Sequence, residues 1–303
     1  MGPGLPHTMS GRWLVDWMAA PLVITPQLRA QLQAWLMEDI GRGDLTAPAL
    51  QGTHARAHWI SKAEGVFCGG VLLEPLLQIL DPQAQVRLLV AEGDPVGCGQ
   101  RLLELEGQAQ ALVAVERTAL NLAMRLSGIA TATAALAGQL QGTGVRLADT
   151  RKTTPGLRVL EKYAVRCGGG VNHRLGLDDA AMLKENHLAW SGGIRQALAA
   201  VRAAAPWPAQ VIVEAETPEQ AQEAVLAGAD GVLLDEFSPQ ALQELVPRLR
   251  ELAHRPVVLE ASGVQPEALR AYAATGIDLI STSAPITRAP WLDLSMRFSR
   301  GEG

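Results

Sequence analysis

The sequence predicts an α/β protein with two domains, a first domain of mixed helices and antiparallel strands and a second domain of the α/β-barrel type. In the second half of the chain, apolar and β-branched runs alternate with helical patterns. Each run ends on a polar residue, and these ends recur at nearly even intervals, at Glu214, Asp235, Glu260 and Ser281. The first hundred residues instead show short alternating stretches, which are typical of antiparallel strands.

Length and composition indicate a globular chain. Its 303 residues are 48% hydrophobic and 19% charged, which allows a sizeable core and excludes a disordered chain. No apolar run approaches the ~20 residues that cross a bilayer. Residues 1–10 lack the pattern of a secretory leader, and the three cysteines form no CxxC pair, so we expect a cytoplasmic protein without a disulfide framework or a zinc knuckle. The glycines and prolines of residues 1–20 predict a loose start.

The first domain is predicted over residues 1–120, and we expect residues 288–303 to return to it. Thr25, followed by a proline, is typical of a helix N-terminus, and the helical pattern extends to about Met37. Three alternating stretches predict antiparallel strands, at 55–61, 85–90 and 101–106.

The second domain is predicted over residues 121–287. Residues 112–126 and 129–140 have helical patterns, with an interruption expected at Ser127 and Gly128. Six apolar runs predict parallel strands, at 145–148, 180–183, 210–213, 231–234, 256–259 and 277–280. Thr217 and Ser238, each followed by a proline, predict the starts of two of the intervening helices. A barrel of this type collects its functional residues at the carboxyl ends of its strands.

The charge is unevenly distributed along the chain. The protein has a net charge of −5, yet residues 151–174 contain six Lys or Arg and one Glu. A mildly acidic protein with one basic segment is a poor candidate for coating nucleic acid and a good one for a focused anion pocket. The three glycines at 168–170 would allow a close backbone approach to a ligand. We expect the basic segment to face Glu214 and Asp235 across the barrel mouth.

Five motifs within this pattern resemble those of the quinolinate phosphoribosyltransferases. They are ERTALN at 116–121, SGIAT at 127–131, DTRKTTPG at 149–156, GGGVNHR at 168–174 and KENH at 184–187. The resemblance extends over residues 20–300. It implies the type II phosphoribosyltransferase fold, which is an N-terminal α/β sandwich followed by an incomplete, open α/β barrel, assembled as a homodimer or a higher oligomer.

The resemblance also implies an activity and a set of site residues. The activity is transfer of the phosphoribosyl group of phosphoribosyl pyrophosphate to quinolinate with decarboxylation, a step of NAD biosynthesis. The residues that match quinolinate-binding positions are Thr150, Arg151, Lys152, His173, Arg174 and Lys184, together with Arg117 from a neighbouring subunit. Glu214 and Asp235 match the acids near Mg²⁺, and with Lys152 they form the expected catalytic set. No role is expected for the other two lysines, Lys62 and Lys162.

The 5′-phosphate of the sugar is expected on two loops that depart from the family pattern. The first commonly reads SGG or SGN, and here it is Ser262, Gly263 and Val264. The second commonly reads SVGALTH and here reads STSAPIT, where Thr282 and Ser283 would have to supply the donors.

Two other functions compete with this interpretation. A related phosphoribosyltransferase, or a molybdenum-associated paralogue of the same fold, would act on a different base, but a monocarboxylate needs fewer cations than residues 149–156 and 172–174 supply. A sensor without catalysis would have no reason to keep Glu214 and Asp235 beside a dicarboxylate pocket.

Overall fold

The computed structural model describes residues 21–299 of the chain, so the predictions for residues 1–20 and 300–303 lie outside the described residues. The chain divides into two compact units. We call residues 139–146 and 181–280 the parallel-sheet unit, and residues 22–138, 147–180 and 281–299 the antiparallel-sheet unit. The domain boundaries expected from the sequence stay predictions.

Helices and strands alternate through most of the described chain. The helices are α1 (Pro26–Ile40), α2 (Leu73–Leu80), α3 (Ala109–Gln139), α4 (Arg158–Cys167), α5 (Glu185–Ser191), α6 (Ile194–Ala204), α7 (Pro218–Leu226), α8 (Pro239–Leu252), α9 (Leu269–Ala273) and α10 (Ala284–Thr287). The strands are β1 (His54–Ser61), β2 (Gly65–Val66), β3 (Gln85–Leu88), β4 (Pro95–Val96), β5 (Arg101–Gln108), β6 (Arg146–Ala148), β7 (Ala181–Leu183), β8 (Val211–Ala215), β9 (Gly231–Asp235), β10 (Val258–Ser262), β11 (Leu279–Ser281) and β12 (Leu294–Ser299).

Six strands form an open sheet in the order β6-β11-β10-β9-β8-β7. The pairs from β7 to β11 are parallel. The first four residues of β9 are all buried, as expected for a central strand that is covered on both faces. Because the order has two ends, the sheet does not close, which confirms the predicted incomplete α/β barrel.

The helix starts predicted in the barrel are confirmed, because the cap side chains satisfy backbone N–H groups that would otherwise lack partners. The Thr217 hydroxyl accepts the N–H of Gln220 at 3.3 Å at the start of α7. The Ser238 hydroxyl accepts the N–H of Ala241 at 3.2 Å at the start of α8.

One barrel strand lies further along the chain than the sequence predicts. The strand expected at 256–259 is observed at Val258–Ser262, since Pro256 has no N–H to donate to a ladder. Glu260 therefore lies inside β10, opposite Leu233 of β9, and is 3% exposed. The expectation that Glu260 ends this strand at the barrel mouth is wrong, and Ser262 takes that place.

The antiparallel-sheet unit contains a four-stranded sheet in the order β12-β1-β5-β3. Trp59 of β1 lies opposite Met296 of β12 and Leu103 of β5, and it is fully buried. Helix α1 contributes three buried leucines to the same core. The predicted first-domain strands and the helix start at Thr25 are confirmed, and α1 continues three residues past Met37 before Gly41, at φ 56°, ends it.

Helix α3 is continuous over 31 residues, so the interruption predicted at Ser127 and Gly128 is wrong. Both small residues serve close packing. The Ser127 hydroxyl accepts the N–H of Cys68 at 2.9 Å and donates to its carbonyl at 3.0 Å. A Cβ on Gly128 would lie 2.0 Å from the carbonyl oxygen of Pro290, so only glycine allows this approach.

Gly128→Ala should therefore lower the free energy of unfolding by about 1–3 kcal/mol or more, because the added methyl group must displace a backbone segment. Urea unfolding monitored by circular dichroism would measure the loss. Gly138, in the same helix, is the matched control, since a Cβ there meets nothing within 4 Å. Equal stability of the two alanine variants would contradict this explanation of the glycine.

Helix α3 is long and apolar enough to cross a membrane, and no other helix within residues 21–299 meets both criteria. Half of its most apolar stretch is buried inside the protein, and its residues Leu112, Val115 and Ala123 belong to the main hydrophobic core. A core helix meets the same criteria of length and composition.

Candidate active site

A buried ion pair lies at the centre of the basic segment. The Lys162 ammonium donates to Oδ1 of Asp149 at 2.5 Å, and both side chains are 1% exposed. The Asn172 amide donates to the other oxygen of Asp149 at 2.7 Å. Burial raises the pKa of Asp149 and lowers the pKa of Lys162, because each charge has lost water, while the attraction between the two opposes both shifts.

The same pair holds the backbone of His173 at two points. The His173 N–H donates to Oδ1 of Asp149 at 2.7 Å, and its carbonyl accepts from the Lys162 ammonium at 2.9 Å. Asp149 follows strand β6 directly and Lys162 lies in α4, so strand end, helix and the 172–174 segment are joined in one network.

A second buried charge neighbours the first on α4. Glu161 is fully buried and accepts from the Arg125 guanidinium at 2.8 Å. It also accepts the N–H and the hydroxyl of Thr154, each at 2.8 Å. Arg125 in turn donates to the carbonyl of Ile286 at 2.7 Å. Thr154 is thereby tied to both α3 and α4.

The basic segment divides into structural and candidate ligand-binding residues. Arg158 donates to the Thr153 hydroxyl and the Leu175 carbonyl, and Arg166 lies 5.5 Å from the ring centre of Tyr163. The candidate ligand-binding residues of this segment are Arg151, Lys152, His173 and Arg174.

Arg151 and Arg174 form an electropositive pair. The Nε of Arg151 is buried and has no hydrogen-bond partner among residues 21–299. The Arg174 guanidinium donates one hydrogen bond, to the Ala180 carbonyl at 2.8 Å. The pKa of Arg174 is lowered, first by burial and then by the positive charge of Arg151. An anion bound here would offset the repulsion between the two guanidinium groups and accept a hydrogen bond from the unsatisfied buried donor.

His173 and Lys152 are the other two candidate residues of the basic segment. Nδ1 of His173 accepts the N–H of Arg174 at 2.8 Å, so a neutral His173 carries its proton on Nε2. Lys152 is exposed, its N–H donates to the Thr150 hydroxyl at 3.0 Å, and its ammonium makes no ion pair with any residue of the described chain. The Lys152 ammonium can therefore donate to a carboxylate.

The glycine run serves packing rather than a ligand. A Cβ on Gly168 would lie 2.3 Å from the Ala130 carbonyl, and one on Gly170 would lie 2.7 Å from a methyl group of Val165. The end of α4 thus packs closely on α3. The sequence predicts that the three glycines would allow a close backbone approach to a ligand; Gly168 and Gly170 pack against the protein, whereas Gly169, at φ 85°, has open space around it.

The predicted acids lie in the parallel-sheet unit on neighbouring strands, Glu214 as the last residue but one of β8 and Asp235 as the last residue of β9. Glu214 of β8 accepts from the Lys184 ammonium, so Lys184, expected on a carboxylate of quinolinate, here pairs with a carboxylate of the protein. Asp235 ends β9 and accepts from the Ser262 hydroxyl. Each carboxylate keeps one oxygen, Oε1 of Glu214 and Oδ2 of Asp235, that makes no hydrogen bond to the described residues.

The turns beyond these strands have constrained backbones. Glu236, directly after Asp235, has a φ of 57°, which is uncommon for a residue with a side chain and marks a strained turn. Gly263 has a φ of 74° and would contact Glu236 if it carried a Cβ. The Val264 side chain is buried, so only its backbone could meet a phosphate.

The remaining predicted residues belong to the antiparallel-sheet unit. The Thr282 N–H donates to the Ala148 carbonyl at 3.0 Å, and its hydroxyl accepts the N–H of Ala284 at 3.2 Å. The Ser283 carbonyl accepts from Thr287. Arg117 lies on α3, is exposed and makes no ion pair within residues 21–299.

Sequence reasoning missed the residues that hold this site together, which are Arg125, Asp149, Glu161, Lys162 and Asn172. A signal for two of them was present. Glu161 and Lys162 interrupt the apolar stretch from Leu160 to Val165. The other residues of this stretch are buried in α4. Adjacent charges inside a buried helix must find partners, because an unpaired buried charge is costly.

One cluster outside this site combines possible metal ligands. Cys68, Glu92 and Cys167 have ligand atoms within 4.8 Å of one another, and no other such group of three occurs in the described residues. Both oxygens of Glu92 already accept hydrogen bonds from backbone N–H groups, those of Gly69 and Val71, so Glu92 serves to cap the turn at these residues.

Comparison with known proteins gives two family matches that together cover most of the chain. The N-terminal domain model of quinolinate phosphoribosyl transferase matches residues 44–127, and the C-terminal domain model matches residues 129–297.

Individual relatives agree with these matches. A probable nicotinate-nucleotide pyrophosphorylase [carboxylating] of Synechocystis sp. is 44% identical over 271 residues, which are 89% of this chain and 92% of the relative. The human nicotinate-nucleotide pyrophosphorylase [carboxylating] is 35% identical over 272 residues, 89% of this chain and 91% of that protein. The crystal structure of NadC from Streptococcus pyogenes superposes with a TM-score of 0.86 at 34% identity, covering 93% of this chain and 99% of that one.

Proposed function

The chain belongs to the quinolinate phosphoribosyltransferase family, and from this premise we propose which of its residues carry the reaction. The enzyme transfers the phosphoribosyl group of phosphoribosyl pyrophosphate to quinolinate. It releases pyrophosphate and carbon dioxide and yields nicotinate mononucleotide, in NAD biosynthesis.

Quinolinate is bound by the cations of the antiparallel-sheet unit. Its two adjacent carboxylates require several donors on one side of the ring. Arg151, Arg174, His173 and Lys152 supply them, with the Thr150 hydroxyl close by. The observation that carries this proposal is the buried, unsatisfied Nε of Arg151 next to the charge of Arg174. Lys184 is the further candidate cation, and in the structure it pairs with Glu214.

Glu214 and Asp235 hold the sugar and its metal. Mg²⁺ is usually bound by one or two protein carboxylates together with the phosphates of the substrate. The two acids fit this role, because they lie within one residue of the carboxyl ends of neighbouring strands and each keeps one oxygen that makes no hydrogen bond to the described residues. When bound, Mg²⁺ would neutralise the charge that develops on the leaving pyrophosphate.

The first chemical step forms the bond between the quinolinate nitrogen and the ribose carbon as the bond to pyrophosphate breaks. This displacement passes through an oxocarbenium-like state and needs alignment and electrostatic stabilisation more than a proton-transferring residue. Lys152 and Arg151 orient the ring by holding its carboxylates, and the carboxylates of Glu214 and Asp235 stabilise the cationic ribose.

The second step removes the carboxylate beside the ring nitrogen. Once alkylated, the ring is a pyridinium, so the electron pair left by departing carbon dioxide is stabilised by the adjacent positive charge. A proton then replaces the carboxylate on that carbon. Lys152 lies exposed and unpaired within residues 21–299 and is suited to contact this carboxylate before it leaves.

The 5′-phosphate is received by the backbone and hydroxyl donors of the two altered loops. Ser262, Gly263 and Val264 follow β10, and Thr282 and Ser283 follow β11. Barrels commonly bind phosphate on the loops after their last strands. The backbone N–H groups of Gly263 and Val264 are the donors that persist despite the change of sequence.

The active form is a homodimer in the cytoplasm, in which Arg117 enters the site of the neighbouring subunit. Arg117 is exposed on α3 and finds no ion-pair partner among the described residues of its own chain, which supports a role outside it. A guanidinium from the partner would add the further cation that a dicarboxylate favours.

Incubation of the purified chain with quinolinate, phosphoribosyl pyrophosphate and Mg²⁺ should yield carbon dioxide and nicotinate mononucleotide in equal amounts. Chelation of the metal should abolish both products, because the charge that develops on the leaving pyrophosphate would no longer be neutralised. Chromatography measures nicotinate mononucleotide, and the release of labelled carbon dioxide measures the decarboxylation. Formation of neither product, with nicotinate accepted in place of quinolinate, would favour a related phosphoribosyltransferase instead.

A further inference from the structure

Two adjacent residues of α4 hold the opposite ends of one cation-bearing loop. Lys162 bonds to Asp149, which precedes Arg151 and Lys152, and Glu161 bonds to Thr154, which follows them. The loop between these anchors, residues 150–153, is four residues long and carries two of the candidate ligand-binding cations.

Lys162 also reaches the second cation-bearing segment. Its ammonium donates to the His173 carbonyl at 2.9 Å, next to Arg174. One buried side chain thus joins the segments that present Arg151, Lys152, His173 and Arg174. Asn172 reinforces the joint, since its amide donates both to Asp149 and to the Lys162 carbonyl.

We propose that Lys162, supported by Glu161, is a positioning residue for quinolinate recognition. It holds the two cation-bearing segments at the separation that receives two adjacent carboxylates on an aromatic ring. This inference rests on the proposed function. Lys162 does not touch the substrate, because its side chain is 1% exposed and its ammonium is already engaged by Asp149 and His173.

An ion pair is a costly way to fill a buried position, since desolvation offsets most of the attraction between the charges. Apolar side chains of similar volume would serve stability as well or better. They would not fix the direction of the His173 carbonyl or the position of Asp149, because dispersion contacts have no direction. The geometric constraint is therefore the advantage that the charged pair provides.

The test is Lys162→Met, with Lys62→Met as the matched control. Lys62 pairs with Asp293 at 3.1 Å, and both side chains are about half exposed. In Lys162→Met, the KM for quinolinate and the dissociation constant of an aromatic 1,2-dicarboxylate without a ring nitrogen should rise roughly ten- to a hundredfold. The KM for phosphoribosyl pyrophosphate should stay within about twofold, and the control should match the wild type.

Two further variants keep the test decisive if Lys162→Met does not fold. The double variant Asp149→Asn, Lys162→Met removes both buried charges and should recover thermal stability, whereas the quinolinate KM should stay raised because the His173 carbonyl has lost its donor. Glu161→Gln keeps one acceptor oxygen for Thr154 and Arg125, and should raise the same KM to a smaller extent.

Three results would overturn the inference. They are a wild-type quinolinate KM in Lys162→Met, an equal rise of KM for both substrates, and recovery of the quinolinate KM together with stability in the double variant. The last two would identify a purely structural residue. Failure of the proposed function is a separate result, because it would appear in the wild-type chain as an absence of nicotinate mononucleotide.

Discussion

Lys152→Ala should lower the turnover number for nicotinate mononucleotide formation by about a hundredfold or more, while the KM for quinolinate rises far less. Lys152 is exposed, and its ammonium makes no ion pair within the described chain, so its charge is available to the substrate. Arg151, His173 and Arg174 still hold the dicarboxylate in the variant. What the variant would lose is the cation that the proposed function assigns to orienting the ring and to contacting the carboxylate that leaves.

Steady-state kinetics with each substrate varied in turn would separate turnover from binding. Lys62→Ala is the control, because Lys62 forms a half-exposed pair with Asp293 in the same unit and has no proposed role in the site. An unaltered turnover number in Lys152→Ala would refute the assignment. A rise in the quinolinate KM alone would reduce Lys152 to a binding residue.

Arg117→Ala should also be nearly inactive, yet mixing it with Lys152→Ala should restore activity. If Arg117 completes the neighbouring site of a dimer, a mixed dimer contains one site with both lesions and one intact site. Random assortment places half of the chains in mixed dimers, so activity should recover to about a quarter of the wild-type value.

Co-expression of the two variants, followed by an assay of the purified mixture, would measure this recovery. Co-expression of two differently tagged copies of Arg117→Ala is the control and should stay inactive. If Arg117 acts within its own subunit, every site in the mixture keeps one lesion and no activity returns. That outcome would refute the shared site, and light scattering would show separately whether the chain dimerises.

Much of the barrel could be predicted from local patterns. The starts of α7 and α8 depend on Thr217 and Ser238 and on residues three positions away. The end of β10 could not be predicted in this way, because Glu260 looks like a polar strand end and its burial depends on the neighbouring strands β9 and β11. Ser127 and Gly128 likewise resemble a helix break, whereas their contacts are with Cys68 and Pro290, far away along the chain.

In the candidate site, the sequence by itself determined the kinds of residue that are present: a basic segment, acids at strand ends and the motifs that identify the family. The tertiary structure alone decided how the charges are used. Arg151 and Lys152 stay available, Arg158 and Arg166 have structural contacts, and Lys162 is buried against Asp149. The physical reason is that burial and pairing depend on segments distant in sequence, whereas periodicity and capping act over a few neighbouring residues.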